Sequence, residues 1–265
     1  MGQRMLLAVL LSVLAGACSP YLHSPPARML PLETAASLPK GDIAIQAAGG
    51  GGAATWGPSV GAGTLQARFG VGHNLEVAGE GSVARIGKRD TEWDTSARQS
   101  IFAGRGGFKY APVNWFAVQA GFGGGGSAAG GFISPDAGII FSYQGKAVVP
   151  FVGSGFFYSH PINPKAVLFY DDRGNREVLL PDQTFGVYTN LGVRVPFSHK
   201  NADAPRTAVM FAYRFMLASH SEYAGSDLYQ DRVQDFYHLG VVSLDFVLGK
   251  QPDKPSNGGR RWKLR

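Results

Sequence analysis

Residues 206–220 alternate in character along their length. Val209, Phe211, Tyr213, Phe215 and Leu217 fall on one side; Ala208, Met210, Ala212, Arg214, Met216, Ala218 and His220 fall on the other. Successive side chains of a strand point to opposite faces, so this stretch has one aromatic, apolar face and one mostly small face carrying a charge. A soluble sheet buries such an apolar face against a second layer. A membrane barrel turns it to lipid and keeps the arginine inside.

Nine further segments show period-two patterning, most of them close to the ~9–11 residues a tilted spanning strand needs. They cover residues 42–48, 64–71, 75–85, 100–110, 115–123, 136–144, 149–158, 184–197 and 235–248. In 64–71, for example, Leu65, Ala67, Phe69 and Val71 oppose Thr64, Gln66 and Arg68. Segment 149–158 is apolar on both faces and fixes no orientation. Connections after the second, fourth and sixth segments are short, and the one after the eighth is moderate. Those after the first, third, fifth, seventh and ninth read as longer, as in 86–98, 161–183 and 221–234. Alternating short and long links belong to a barrel with short periplasmic turns and long outer loops. The pattern predicts an all-β fold: an antiparallel up-and-down transmembrane β-barrel of about ten strands over residues 41–249. An even strand number is expected to place both termini on the periplasmic side, which agrees with a lipid-anchored or exported N-terminus.

Composition adjusts this picture only slightly. The 265 residues are 45% hydrophobic, with mean hydropathy near zero. Alternation hides membrane strands from such averages. The 37 glycines follow no collagen-like period. The runs 49–52 and 123–126 read as flexible outer loops, since neither has the Gly-Lys-Ser/Thr ending of a phosphate loop. The net charge is +6, part of it in the basic tail, residues 250–265, read as solvated or as touching an anionic surface.

The N-terminus reads as a targeting segment. Arg4 precedes an apolar run from Met5 to Ala17, too short to span a bilayer as a helix. Residues 1–17 are expected to be a signal peptide. Ala15 and Ala17 suit ordinary signal peptidase, while small residues directly before Cys18 resemble a bacterial lipobox. That resemblance implies lipidation of Cys18, although Leu14 stands four rather than three positions before it. Cys18 is the sole cysteine, which excludes an intramolecular disulfide. Residues 18–40, with Pro20, Pro25, Pro26, Pro31 and Pro39, read as a linker or extended strap.

From residue 41 to 249 the pattern resembles small bacterial outer-membrane barrels in the broad class of OmpA, OmpX and Opc. The resemblance is architectural and implies an outer-membrane location, with outer-membrane lipid and a surface or periplasmic protein as expected partners. Tyr110 and Trp115, flanking one short turn, suit the interface girdle of such barrels. Barrels of this class often end on a terminal Phe or Trp; here Phe246 would serve as an internal version, ahead of the basic tail.

On this reading Arg68, Glu76, Glu80, Arg105, Lys109, Asp136, Arg194, Arg214 and Asp245 point into the lumen. Buried charges must be paired or hydrated, and a barrel of eight to ten strands is filled mainly by side chains. The expectation is a paired network that plugs the lumen, with Arg214 opposite an acid such as Asp245. The competing expectation is a narrow hydrated pore.

Catalytic candidates are few. Tyr213-Arg214 followed by His220 and a serine resembles the lipid A deacylases, whose His and Ser stand two apart. Here Ser219 and Ser221 adjoin His220 and point away from it along a strand. Glu222 completes the group. Asp171, Asp172, Asp227, Asp231 and His220 supply the residue types of the omptin proteases. Ser159-His160 is an adjacent pair. No HExxH or Cys/His spacing supports a metal. No cofactor motif is present, and nothing resembles a nucleic-acid platform. The expected role is therefore non-enzymatic: membrane structure or surface interaction. The alternatives are a small passive pore, a rim-sited hydrolase, and a soluble periplasmic β-domain.

Overall fold

A computed structural model describes residues 25–30, 32–55, 59–86, 99–145, 147–165, 167–170, 176–179, 181–197, 206–223 and 230–249. Twelve strands appear among them: β1 (Ile43–Ala54), β2 (Ser59–Gly72), β3 (Leu75–Ile86), β4 (Gln99–Val113), β5 (Phe116–Ser127), β6 (Gly130–Ser142), β7 (Val149–Ile162), β8 (Val167–Tyr170), β9 (Arg176–Leu179), β10 (Thr184–Phe197), β11 (Arg206–Tyr223) and β12 (Gln230–Leu248). Ten of them close into a barrel in the order β1-β12-β11-β10-β7-β6-β5-β4-β3-β2, every pair antiparallel. β8 and β9 form a separate hairpin within the link from β7 to β10. The architecture is a closed, all-antiparallel up-and-down β-barrel, and the ten alternating segments are its ten strands.

Closure follows from the alternation. Leu65, Phe102, Phe122, Phe185, Phe211 and Leu244 are exposed on the outside, while Gln66, Arg105, Gln119, Tyr188 and Asp245 are buried within. Antiparallel strands with one apolar and one polar face can satisfy every wall hydrogen bond only by joining first to last, because lipid offers no partner to a free edge. The pairing of Ile43 with Leu248 makes that seam. Trp115 and Tyr110 are exposed, which excludes a buried core pair. Trp115 stacks on Phe141 with centroids 6.3 Å apart, and Phe116 lies 5.1 Å from Phe141. These rings group at one end of the wall, as an interface girdle requires.

Most strands are longer than their patterned cores, at 12 residues in β1 and 19 in β12. The glycine runs supply part of the extra length. Residues 49–52 lie inside β1 and 123–126 inside β5, so neither run is a flexible outer loop. Glycine weakens a strand by its own entropy, but packing overrides that here. A Cβ on Gly123 would stand 2.7 Å from the Cβ of Ala27, and one on Gly52 would stand 1.6 Å from the carbonyl oxygen of His238.

The same extension shortens two links expected to be longer: β1 to β2 is residues 55–58, and β5 turns to β6 through 128–129. The long links 87–98 and 163–183 share one end of the barrel, here the loop end. β1 begins and β12 finishes at the opposite, turn end. There β2 turns to β3 through His73 and Asn74, both with positive φ (52° and 63°), as a two-residue hairpin demands. The two-faced strand β7 is resolved by the register: Phe151, Phe157 and Ser159 face inward, Phe156 and Tyr158 outward.

Candidate functional site

The barrel interior is the only place where polar and charged side chains gather in number among the described residues. It has two layers. Towards the loop end it is apolar, packed with Val60, Ile86, Ile101, Phe132, Phe157 and Leu239. Below lies the charged layer. Of the nine charges expected in the lumen, Arg68, Glu76, Glu80, Arg105, Lys109, Asp136, Arg214 and Asp245 are buried. Arg194, nearer the turn end, keeps 21% of its side-chain area exposed.

The chain itself supplies the centre of this layer. Residues 25–38, apart from Pro31, are described inside the barrel, and Ala27, Arg28, Leu30, Leu32 and Glu33 are buried there. Of the two readings of this stretch, linker and extended strap, the described part is a strap, and it lies inside the barrel. A solvated linker would leave Arg28 and Glu33 in water. Inside the barrel they complete a charge network that the wall alone leaves open.

The network is nearly continuous. Arg194 reaches Asp245 at 3.4 Å and Arg68 reaches it at 2.7 Å. Arg68 also faces Glu76 at 3.9 Å, and Lys109 bridges Glu76 at 2.9 Å to Glu33 at 3.6 Å. Glu33 pairs with Arg28, which approaches Glu80 at 3.4 Å. Four cations thus alternate with four carboxylates, so no charge in the series is buried without an opposite neighbour. Arg105 and Asp136 form a separate bidentate pair at 2.6 and 2.7 Å. The fork of a guanidinium matches a carboxylate edge to edge, which suits a cramped interior. At the turn-end rim Arg206 donates to Asp42.

Arg214 departs from expectation. Its wall partner is Leu239, and Asp245 lies across from Ala208, so the two charges do not meet. Asp245 is held by Arg68 and Arg194 instead. Arg214 Nη1 donates to the carbonyl of Met29 at 2.5 Å and to that of Arg28 at 3.4 Å. Its Cζ lies 4.6 Å from the centroid of the Tyr188 ring. A buried cation without a carboxylate is thereby held by carbonyl dipoles and a ring quadrupole. Sequence alternation places Arg214 inside but cannot name a partner that comes from the strap.

Polar contacts hold the strap along its length. Gln119 accepts from Arg28 Nη1 at 2.7 Å, and Gln66 donates to Glu33 at 2.9 Å. Lys109 Nζ donates to the carbonyls of Thr34 and Ala36, each at 3.1 Å. Gln46 donates to the carbonyl of Leu32 at 3.0 Å, and Ser142 Oγ accepts from the Ala35 amide at 3.0 Å. A strap without secondary structure must find partners for its backbone when buried, and the inward polar residues of several strands provide them. Two small cavities beside Glu33 measure about 10 Å³ each, roughly one water apiece.

Of the catalytic candidates, only Ser219, Ser159 and His160 are described with their side chains. Ser219 pairs in the wall with Phe185 and Gln234. His220, Ser221 and Glu222 continue β11, and their side chains lie outside the described residues. So do Asp171, Asp172 and Asp227 altogether, and the side chain of Asp231. Ser159 is buried and donates to the carbonyl of Pro25 at 2.9 Å, whereas His160 is exposed beside Tyr158, so the two diverge. No cluster of three metal-ligating side chains occurs among the described residues, and no helix there is long and apolar enough to cross a membrane. Cys18, the signal segment 1–17 and the tail 250–265 lie outside the described residues.

No protein-family model matches this chain, and no curated protein matches it in sequence. Among solved structures the chain is similar to Neisserial surface protein A (NspA), at 10% identity and a TM-score of 0.37, over 77% of this chain and 95% of that one. It is also similar to the outer membrane protein OprG from Pseudomonas aeruginosa, at 12% identity and a TM-score of 0.36, over 82% of this chain and 99% of that one. Both values are low, so the chain's own geometry carries the functional reading.

Proposed function

We propose that this chain is an outer-membrane barrel lipoprotein whose lumen is closed by its own N-terminal strap, with a structural or surface-interaction role and no catalytic one. The observation that carries this reading is the burial of Arg28 and Glu33 at the centre of the lumen, in ion pairs with Glu80 and Lys109 of the wall. The apolar exterior calls for lipid. Among the described residues the strap, the apolar upper layer and the paired charges occupy the lumen, and the cavities beside Glu33 are water-sized. Outer-membrane lipid is the partner of the wall, and a surface or periplasmic protein is the expected partner of its rims.

The test is conductance in planar bilayers. The full chain is expected to pass no steady current, and a chain lacking residues 25–39 is expected to open steady channels. Equal, steady conductance from both chains would show that the strap closes nothing and would favour the passive-pore reading.

A further inference from the structure

The strap has a direction. Its first described residue, Pro25, accepts a hydrogen bond from Ser159, near the loop end of β7. The carbonyl of Ala27 lies 3.4 Å from Ser82 Oγ, on the loop-end half of β3. Further along the strap the amide of Leu38 donates to Glu76, beside the turn-end start of β3, at 2.6 Å. The strap then reverses. The Asp42 amide donates to the Pro39 carbonyl at 3.1 Å, the Gly41 amide donates to the Gly70 carbonyl at 2.8 Å, and Gly41 has a φ of 86°. A left-handed residue with no Cβ accommodates that hairpin-like turn. The chain therefore runs down the lumen from the loop end and climbs back as β1.

An even strand number fixes where β1 begins. It does not fix where the chain before β1 lies. We infer that the strap enters the lumen from the outer face of the membrane, with Pro25 at its outer end, and not from the periplasmic face where β1 starts. This rests on the membrane-barrel reading, with the long links 87–98 and 163–183 outward.

The distances fit. Ten strands ~4.8 Å apart, tilted by ~40°, make a wall about 10 Å from the barrel axis. The stretch from Cys18 to Pro25 spans at most ~23–25 Å when extended. That length exceeds the distance of about 10 Å from axis to wall. It falls short of the inner leaflet, because the hydrocarbon layer of ~25–30 Å lies between and the lumen is already filled. Acyl chains on Cys18 would therefore insert from the outside and tether the upper end of the strap. The sidedness does not depend on them, since the strap has the same direction without lipid.

The experiment uses the full chain in a Gram-negative host, with an epitope inserted between Pro20 and Tyr21 or appended after Arg265. Antibody is expected to bind the N-terminal epitope on intact cells as strongly as after permeabilisation, and the C-terminal epitope only after permeabilisation. A second variant, Ser24→Cys, guards against an epitope that jams the strap; a membrane-impermeant maleimide is expected to label it on intact cells. Heat-modifiable gel mobility is followed in every variant. If mobility stays heat-modifiable while the N-terminal epitope and the Ser24→Cys thiol are reached only after permeabilisation, the inference is wrong and the barrel reading stands. If mobility is not heat-modifiable, the barrel reading fails and takes the inference with it.

Discussion

Arg105 and Asp136 show what single residues do in this lumen. The pair is buried and bidentate, and it stands apart from the chain of charges around Glu33. Removing one partner strands a charge in a site that cannot hydrate it, at a cost of about 3–5 kcal/mol. Replacing both with apolar groups of similar volume removes that penalty. Arg105→Met should therefore lower the urea midpoint of the barrel in lipid vesicles by about 3 kcal/mol of stability, and Arg105→Met with Asp136→Leu should recover most of the loss. A double variant no more stable than the single one would mean that the pair does more than neutralise itself. Arg214 illustrates the other solution, a cation met by the carbonyls of Arg28 and Met29 and by the Tyr188 ring.

At the level of elements, the glycine-rich upper halves of β1 and β5 depart most from their local propensities. Residues 49–52 and 123–126 look like loop sequence, yet they pair in register with β12, β2, β4 and β6. Their composition answers to crowding. A Cβ on Gly52 meets the backbone of β12, which cannot swing aside as a flexible side-chain end can, whereas a Cβ on Gly79 meets nothing within 4 Å. Gly52→Ala should cost roughly 1–3 kcal/mol, the usual range for overpacking, and Gly79→Ala almost nothing, both read from urea unfolding in vesicles. Equal effects would show that crowding at residue 52 is relieved by movement of β12. The strap is the complementary case. It forms no strand, so no periodicity announces it, and its order comes from wall side chains that accept its amides and donate to its carbonyls.

Over the whole molecule, the barrel wall encloses residues 25–38 of its own chain, apart from Pro31, which is not described. A lipid on Cys18 would add a third attachment to the wall and the strap. Cells given radiolabelled palmitate should yield a labelled band in the outer-membrane fraction, lost in Cys18→Ser. An unlabelled wild-type band would show simple export without a lipid anchor.

The ten wall strands were legible because a strand buried on one face and facing lipid on the other must alternate, and alternation survives in one dimension. The same rule gave the inward side of Arg68, Glu76, Glu80, Arg105, Lys109, Asp136, Arg194, Arg214 and Asp245. Strand ends were less legible, since glycine carries no polarity with which to alternate. Arg28 and Glu33 were hidden among prolines that read as a linker or extended strap, with nothing to place that strap inside the barrel; a close opposite pair just before the first strand was the only clue. By itself the sequence determined which face of nine of the ten wall strands meets lipid and which wall charges lie inside; the faces of β7 needed the register. Partner identity depends on distances between segments far apart in the chain. Only the tertiary structure could therefore decide that Asp245 is shared by Arg68 and Arg194, that Arg214 holds the strap, and that the strap descends the lumen from the loop end.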